Sequence, residues 1–216
     1  MKPHQIILSL LIVSAGFALA QGLYAPEPPA NSSYVRIIDA SLESSSSAVK
    51  LDGKAWIAAL TAQGILPYEV MKAGKHLFDI SSGANKTSAT LEAQAGKFYT
   101  LAIVGKANHL SVKTFNDKKI TNKIKAQLLA YNFSNTSLTI KTIDGTKVFQ
   151  EIKQNTSQDI MVNPVNITFD TFSGEKKNSS FKLRLQSSQS YSFVAFQIGD
   201  KIKVVQVNST TAPYQK

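Results

Sequence analysis

The sequence predicts an all-β protein that consists of two tandem antiparallel β-sandwich modules arising from an internal repeat. Three observations lead to this fold class. A series of landmarks occurs twice along the chain, and several short segments alternate apolar and polar residues. Turn signals containing Gly or Asp separate these segments at intervals of about 8 to 12 residues, as is typical of a sandwich.

The repeat is defined by the order and spacing of its landmarks, which recur at an offset of 91 to 94 positions. They are Asp52-Gly53 with Asp144-Gly145, Phe78-Asp79 with Phe169-Asp170, Gly83 with Gly174, Leu91–Thr100 with Leu183–Ser192, and Val104-Gly105 with Ile198-Gly199. An almost constant offset over this length predicts a duplicated module. We place the first module at residues 21–117 and the second at residues 118–216.

Residues 1–20 precede the predicted fold. Lys2 is followed by a largely apolar run from Ile6 to Val13, and the segment ends in Ala18-Leu19-Ala20. This pattern is typical of a secretory signal peptide, and we expect cleavage after Ala20. No later window reaches the roughly 20 apolar residues that a transmembrane helix needs, so the mature chain is expected not to span a membrane.

The first module begins with a proline-marked arm that runs into a strand. The arm contains Leu23, Tyr24, Pro26 and Pro29, and the strand is predicted at Tyr34 to Ala40. The strand has a counterpart in the second module, whereas the arm has none. The arm is therefore the part of the first module that the repeat explains least.

The middle of each module contains the turns. Asp52-Gly53 predicts a tight hairpin, because both central residues of such a turn take a positive φ. Trp56 to Gln63 contains good helix formers, but the corresponding Val148 to Gln154 has no helical signature, so we predict a strand leading into a loop. Asp79 and Asp170 are equivalent in the repeat and are predicted to be turn caps.

The second module shows its strands more clearly. A strand is predicted at Ile124 to Tyr131, and Phe181 to Gln186 alternates apolar with polar residues. Tyr191 to Phe196 and Ile202 to Val207 are predicted as two further strands. The polar run from Asn116 to Lys119 is expected to be a short linker that allows some freedom between the modules.

The charge is unevenly distributed between the halves. Residues 21–117 contain nine Lys and Arg against eight Asp and Glu, whereas residues 118–216 contain fourteen against six. The basic second half would attract a polyanion or an acidic partner through its summed field. Scattered lysines that keep strand edges apart are the alternative explanation. The basic residues are not clustered with aromatic residues as in a nucleic-acid-binding module, so no nucleic-acid partner is expected.

The residues that carry enzyme chemistry are few. The chain has no cysteine, so neither disulfides nor thiolate metal sites are possible. Only His76 and His109 remain after residue 20, and no Gly-x-Ser-x-Gly motif is present. No metal-ligand or phosphate-binding spacing occurs, so no metal site and no cofactor are expected.

Aromatic residues and one arginine are the candidate binding residues. Trp56 has no aromatic counterpart in the repeat, so it is predicted to bind a partner or polymer rather than to serve the core. Tyr99 and Tyr191 are repeat-equivalent and are predicted to be core residues. Arg36 is the single arginine of the first module, and the offset aligns it with Gln127. Without a second copy, Arg36 is predicted to make contacts specific to its module.

The opening of the mature chain resembles one known family. The pattern Leu23-Tyr24-x-Pro26-x-x-Pro29, followed by Ser33-Tyr34-Val35-Arg36-Ile37, is similar to that of the AlgF family of periplasmic proteins required for O-acetylation of alginate. The resemblance implies a periplasmic, non-catalytic accessory subunit of two β-sandwich modules. It also implies two partners, a membrane-bound O-acyltransferase and a periplasmic Gly-Asp-Ser-type acetyltransferase, and related accessory proteins serve cellulose acetylation.

Three functions follow from these observations. The first is an accessory subunit that binds its acetyltransferase partners, and also the anionic polysaccharide, through Leu23, Tyr24, Pro26, Pro29, Arg36 and Trp56. The second is a carbohydrate-binding protein of the cell envelope that acts alone. The third is an acetyl esterase or acetyltransferase that uses His76 or His109.

Overall fold

The computed structural model describes residues 26–42, 46–106 and 109–214. These residues form β-strands and loops with no α-helix among them, which confirms the all-β fold class. In this part of the chain no helix is long and apolar enough to cross a membrane. The predicted signal peptide lies outside the described residues, as do Leu23 and Tyr24 of the arm.

Sixteen strands are present in the described residues, eight in each module. The first module contains β1 (Ser32–Ser41), β2 (Ser47–Leu51), β3 (Lys54–Leu60), β4 (Glu69–Lys72), β5 (Gly74–Ser82), β6 (Asn85–Ala93), β7 (Phe98–Gly105) and β8 (Ser111–Asp117). The second contains β9 (Ala126–Phe133), β10 (Leu138–Thr142), β11 (Lys147–Ile152), β12 (Thr156–Val162), β13 (Asn166–Ser173), β14 (Lys176–Arg184), β15 (Ser190–Ile198) and β16 (Lys201–Asn208).

Both modules share one topology. Each is a sandwich of two four-stranded sheets, with the orders β4-β1-β7-β8 and β3-β2-β5-β6 in the first module. The orders in the second module are β12-β9-β15-β16 and β11-β10-β13-β14. The pairing is antiparallel with one exception in each module, because β1 pairs with β7 and β9 pairs with β15 in parallel.

The alternation of side chains on β1 explains how the modules are arranged. Val35 and Ile37 point into the core of the first sandwich, whereas Ile38 and Ala40 point to the opposite face. That opposite face packs against the second module, through a cluster that includes Tyr131 of β9. The β1 and β9 sheets therefore lie face to face, with the other two sheets outside them.

The prediction that the modules have some freedom relative to each other is wrong. Besides the two sandwich cores, a third buried cluster joins the modules; its members are Ile38, Ala40, Ala102, Val104, Leu129, Tyr131, Phe133, Val194 and Phe196. The segment after β16 also returns to the first module, where the amide of Tyr68 donates to the carbonyl of Thr210 at 2.9 Å. A polar linker sequence does not reveal this packing, because the contact is made by strands.

The strand register corrects one detail of the repeat. Arg36 lies opposite Thr100 on β7, and Leu129 lies opposite Ser192 on β15. Since Thr100 and Ser192 are repeat-equivalent, the counterpart of Arg36 is Leu129, not Gln127. The repeat offset is 93 positions from Arg36 to Leu129 but 91 positions from Phe78 to Phe169. A single offset of 91 therefore does not align β1 with β9.

Two turn predictions have different outcomes. Asp52 and Gly53 have φ values of 51° and 78°, so the tight hairpin between β2 and β3 is confirmed. In the equivalent turn of the second module Gly145 has a positive φ of 89° but Asp144 does not, and the amide of Thr142 closes a longer loop by donating to the carbonyl of Thr146 at 2.9 Å. The longer loop removes the need for a positive φ at Asp144.

The remaining local predictions concern strands and aspartates. Trp56 lies on a strand that ends at Leu60 and continues into a loop, as predicted. Asp79 and Asp170 are not turn caps; they lie within β5 and β13. Each aspartate lies several residues before its turn, inside a long strand of the hairpin.

Tyr99 and Tyr191 are core residues, as predicted. They are 6% and 5% exposed. Each hydroxyl accepts the backbone N–H of the residue five positions earlier, at 3.2 Å from Gln94 and 3.0 Å from Gln186. The repeat therefore preserves a structural contact at these tyrosines.

Candidate functional site

Arg36 is buried between the two modules. Its side chain is on the face of β1 that meets the second module, and the residue is 1% exposed. The guanidinium donates to Thr100 at 2.8 Å, to Tyr131 at 3.0 Å, to Ser192 at 3.1 Å and to Ser209 at 3.2 Å. Three of these four acceptors belong to the second module, so the module-specific contacts of Arg36 are made to the other half of the same chain.

A buried carboxylate completes the arrangement. Asp117, at the end of β8, accepts hydrogen bonds from the hydroxyl groups of Tyr68 at 2.8 Å, of Thr100 and of Tyr131. Thr100 and Tyr131 thus connect Arg36 to Asp117, since each accepts from the arginine and donates to the aspartate. We call Arg36, Tyr68, Thr100, Asp117, Tyr131, Ser192 and Ser209 the Arg36 cluster.

The electrostatics of the cluster match these hydrogen bonds. The Arg36 guanidinium lies 4.5 Å from the ring centroid of Tyr68 and 5.2 Å from that of Tyr131. Burial lowers the pKa of Arg36, but Tyr131, Tyr68 and Asp117 together raise that pKa above its ordinary value. Burial also raises the pKa values of Tyr68 and Tyr131, so both phenols stay neutral and act as donors.

A groove between the modules opens beside this cluster. We call it the inter-module groove; it has a section of about 240 Å³ and a neighbouring section of about 630 Å³. Phe98, Lys118 and Lys119 line both sections. Tyr68 and Ser209 of the Arg36 cluster line the first section. The groove exists only because the modules are docked.

The groove combines an aromatic surface with basic side chains. Phe98 at the start of β7 stacks on Tyr34 of β1, with ring centroids 4.3 Å apart and planes at 7°. Lys97 and Lys119 are exposed at the groove, and Lys118 pairs with Asp159 at 3.0 Å while staying 73% exposed. This combination can bind an anionic group together with an apolar or ring-shaped surface.

The arm joins the first module next to the groove. Pro26 and Pro29 are exposed. The carbonyl of Pro29 accepts the Ser32 amide at 3.0 Å, and the carbonyl of Ser32 accepts the amide of Gly96 at 2.7 Å. Gly96 lines the groove, so the described part of the arm and the groove are adjacent.

The structure does not bring Trp56 to the groove. Its indole is half-buried, packs against the first sandwich core and donates from Nε1 to Glu69 at 2.6 Å. Trp56 therefore has structural contacts of its own. Its partner-binding role stays a prediction.

The two histidines are placed far from each other in the topology. His76 is in β5, where Nδ1 lies 2.8 Å from Asp52 Oδ2 and Nε2 lies 2.7 Å from the carbonyl of Lys72. His109 is exposed in the loop between β7 and β8. Both ring nitrogens of His76 face acceptors, so neither is directed at a nucleophile. Among the described residues no three His, Asp or Glu side chains are grouped as metal ligands.

His76 should make the stability of the protein depend on pH. Partial burial lowers its pKa, but the hydrogen bonds to Asp52 and to the Lys72 carbonyl raise it above the ordinary value. A raised pKa contributes stability below the unfolded pKa of about 6.5, and that contribution is lost as pH rises through the folded pKa. We expect His76→Gln to lower the melting temperature more at pH 6 than at pH 9. An equal loss at both pH values would contradict this.

Several residues of the site have no strong sequence signal. The sequence predicts a linker at Asp117 and Lys118, whereas Asp117 is 6% exposed and ends a strand. Tyr131 looks like any aromatic residue of a buried strand. An arginine between apolar residues, in Val35-Arg36-Ile37, is the one local signal that could have pointed to a buried cation.

Comparison with known proteins identifies the family. The model of the family described as "Alginate O-acetyl transferase AlgF" matches residues 5–191. The chain is 27% identical over 186 residues to the alginate biosynthesis protein AlgF of Pseudomonas putida, covering 82% of each. It is 28% identical over 190 residues to that of Azotobacter vinelandii, covering 84% of this chain and 83% of the relative.

A solved structure is also similar. The C-terminal domain of AlgF from P. aeruginosa is 31% identical, with a TM-score of 0.38, and the match covers 40% of this chain and 99% of that domain. The family model and the curated relatives match most of the chain, which confirms the resemblance noted at the arm and first strand. The chain belongs to the AlgF family.

Proposed function

We propose that this protein is a periplasmic, non-catalytic accessory subunit required for O-acetylation of an exopolysaccharide, alginate. It binds the membrane-bound O-acyltransferase and the periplasmic acetyltransferase of the same pathway. The observation that carries the proposal is the basic inter-module groove beside the arm, in a chain that belongs to the AlgF family. The names of the relatives place them in alginate biosynthesis.

The shape and charge of the groove support a binding role. Lys97 and Lys119 give it a positive rim, which would steer an acidic partner surface toward the site. The stacked rings of Tyr34 and Phe98 provide a rigid aromatic surface of the kind that dominates binding energy at protein interfaces. Docking of the modules through Arg36 holds both features in one arrangement.

The arm and the groove give the direct test. In alginate-producing cells that lack their own copy, a variant without residues 23–29 is expected to reduce polymer acetylation to background. Lys97→Glu combined with Lys119→Glu is expected to weaken co-purification with the acetyltransferases about tenfold, because the attraction becomes repulsion. Acetyl content of the secreted polymer and the recovered partners are the measurements.

A matched control separates local from overall charge. Lys182→Glu combined with Lys201→Glu changes the net charge by the same amount at exposed positions of β14 and β16. This control should retain binding and acetylation, and all variants should keep the wild-type circular dichroism spectrum and melting temperature. Normal acetylation by both the arm deletion and the groove variant would reject the proposal.

The family description names an acetyl transferase, so activity of the chain itself needs a separate test. The purified protein is expected not to hydrolyse a chromogenic acetyl ester. Turnover that disappears in His76→Ala or in His109→Ala would overturn the non-catalytic part of the proposal.

A further inference from the structure

The second module exposes three apolar side chains at one end of its strands. Ile124 before β9, Ile143 between β10 and β11, and Val165 before β13 are 72%, 74% and 47% exposed. Ile143 and Ile124 are the two most exposed large apolar residues in the part of the chain that the structure describes. Exposed apolar side chains that are grouped in one place mark an interaction site.

Hydrogen bonds join the loops that carry these residues. The amide of Ile143 donates to the carbonyl of Thr168 at 3.1 Å, so the β10–β11 loop lies against the start of β13. The Nζ of Lys125 donates to Asn163 at 2.6 Å, which joins the segments before β9 and β13. The carbonyl of Lys125 accepts the amide of Ser188 at 2.8 Å and so brings in the β14–β15 loop. We call this surface the loop end of the second module; it consists of residues 120–125, 143–146, 163–165 and 184–189.

The loop end is basic. Its four segments contain two Lys and one Arg against one acidic residue. Lys118 and Lys119 directly precede the first segment and extend the basic surface. The acidic residue, Asp144, accepts the amide of Thr146 at 3.2 Å within its own loop. Basic side chains around exposed apolar residues match a membrane surface that contains anionic lipids, because the cations are attracted and the apolar side chains are buried.

The first module shows that the fold does not require these residues. Strand register and backbone hydrogen bonds align the two modules at this end, and the first module is polar or acidic where the second is apolar or basic. The counterparts of Ile124, Val165 and Arg184 are Asn31, Gly74 and Glu92, and the polar turn Asp52-Gly53 stands in place of the loop that carries Ile143. Because both modules share one topology, packing does not explain the exposed apolar residues, whereas binding does.

We propose that the loop end of the second module binds the surface of a membrane that contains anionic phospholipids. Ile124, Ile143 and Val165 enter the interfacial region of the lipid, and the surrounding Lys and Arg side chains bind lipid phosphate groups. Ser188 and Gln189 also line the inter-module groove, so the groove lies next to the bound lipid. The lipid contact goes beyond the proposed function; only the placement of the groove near a membrane-bound partner rests on that function.

The composition of the loop end favours lipid over a protein partner. Its segments contain lysines and serines but no aromatic residue. Lys and Ser are depleted at protein interfaces, whereas aromatic residues are enriched there. An anionic lipid surface instead attracts lysines through its negative potential, and it adapts to aliphatic side chains that protrude from separate loops.

Vesicle binding by purified protein without residues 1–20 is the test, since the predicted signal peptide would itself bind lipid. The protein is expected to co-sediment with vesicles of phosphatidylglycerol and phosphatidylethanolamine. It should bind vesicles of phosphatidylcholine alone at least about tenfold more weakly, because these carry no net negative charge. Raising the salt concentration should weaken binding to the anionic vesicles.

The apolar contribution is tested without a change in charge. Ile124→Asn combined with Ile143→Asn should weaken binding to the anionic vesicles at least about tenfold, because two apolar side chains no longer enter the lipid. Leu42→Asn combined with Ile198→Asn is the matched control. It removes two exposed apolar side chains at the opposite ends of the strands and should leave binding unchanged.

The charge contribution has its own matched pair. Lys123→Glu combined with Arg184→Glu should weaken binding at least about tenfold, since two attractive charges become repulsive. Lys153→Glu combined with Lys176→Glu changes the net charge equally at exposed positions at the opposite end of the module. This control should bind within about twofold of the wild type, because salt screens charges that are distant from the lipid.

The lack of cysteine allows the bound surface to be located with a single label. An environment-sensitive fluorophore attached to Ile124→Cys should shift its emission to shorter wavelength when anionic vesicles are added. The same fluorophore attached to Ile198→Cys should show no shift.

No vesicle binding by the wild type, equal binding to both kinds of vesicle, or undiminished binding by the folded Ile124→Asn, Ile143→Asn variant would each overturn the inference. If that variant loses co-purification with the detergent-solubilised acetyltransferases while the wild type binds no vesicles, the loop end binds a protein and the inference is rejected. The proposed function is tested separately by Lys97→Glu combined with Lys119→Glu, so failure of the lipid contact and failure of partner binding are distinguishable.

Discussion

Replacing Arg36 with leucine is expected to destabilise the protein by about 3–5 kcal/mol. The substitution leaves Asp117 buried as a carboxylate that accepts three hydroxyl donors but has no cation near it. Steric misfit is not the cause, because Leu129 occupies the equivalent position on β9 and is 4% exposed. Chemical denaturation of both proteins at neutral pH measures the difference in free energy of unfolding.

A double-mutant cycle shows how much of that loss comes from the unpaired charge. Asp117→Asn removes the carboxylate charge while keeping its shape. The double variant of Arg36→Leu with Asp117→Asn is expected to lose less stability than the two single variants summed, because the buried negative charge is gone. A loss below about 1 kcal/mol for Arg36→Leu alone would mean that the cluster resembles a surface ion pair in its effect.

Ala102→Asp is expected to separate the modules without unfolding them. Ala102 is fully buried in the cluster between the modules, so an aspartate there would bury an unpaired charge at a cost of several kcal/mol. Undocking exposes the new carboxylate to water, and each module retains its own sandwich core. We expect one calorimetric unfolding transition in the wild type and two in this variant, with faster proteolysis between Asp117 and Ala126.

Leu101→Asp provides the comparison one residue away. Leu101 is also fully buried, but it points into the core of the first sandwich. Its replacement should unfold the first module and leave only the second with native signals. A single transition at the wild-type temperature in Ala102→Asp would show that the modules do not depend on this interface.

Strands and the duplication could be predicted because their signals are local or periodic. The alternation in Phe181 to Gln186 and the Asp52-Gly53 turn depend on neighbours in the chain. The parallel pairing of β1 with β7 could not be predicted in this way, since these strands are more than 60 positions apart along the chain. The counterpart of Arg36 could not be predicted for the same reason, since it follows from the pairing of Arg36 with Thr100 and of Leu129 with Ser192.

The groove could not be predicted from the sequence, because its residues show no distinctive local pattern. Lys118 and Lys119 are ordinary in a polar connecting segment, and only docking places them beside Phe98. The groove contains no motif with a fixed spacing.

The sequence alone was enough to predict an all-β duplication, since hydrophobic alternation, turn residues and the repeat offset depend only on the order of residues. The resemblance to a family was likewise visible in the sequence, in the arm and the first strand. How the two modules dock was determined only by the tertiary structure. The sequence pattern of β1 does not show which apolar residues face their own sandwich, as Ile37 does, and which face the other module, as Ile38 does. For that reason Arg36, which looks from the sequence like a surface contact, is a buried residue that holds the two modules together.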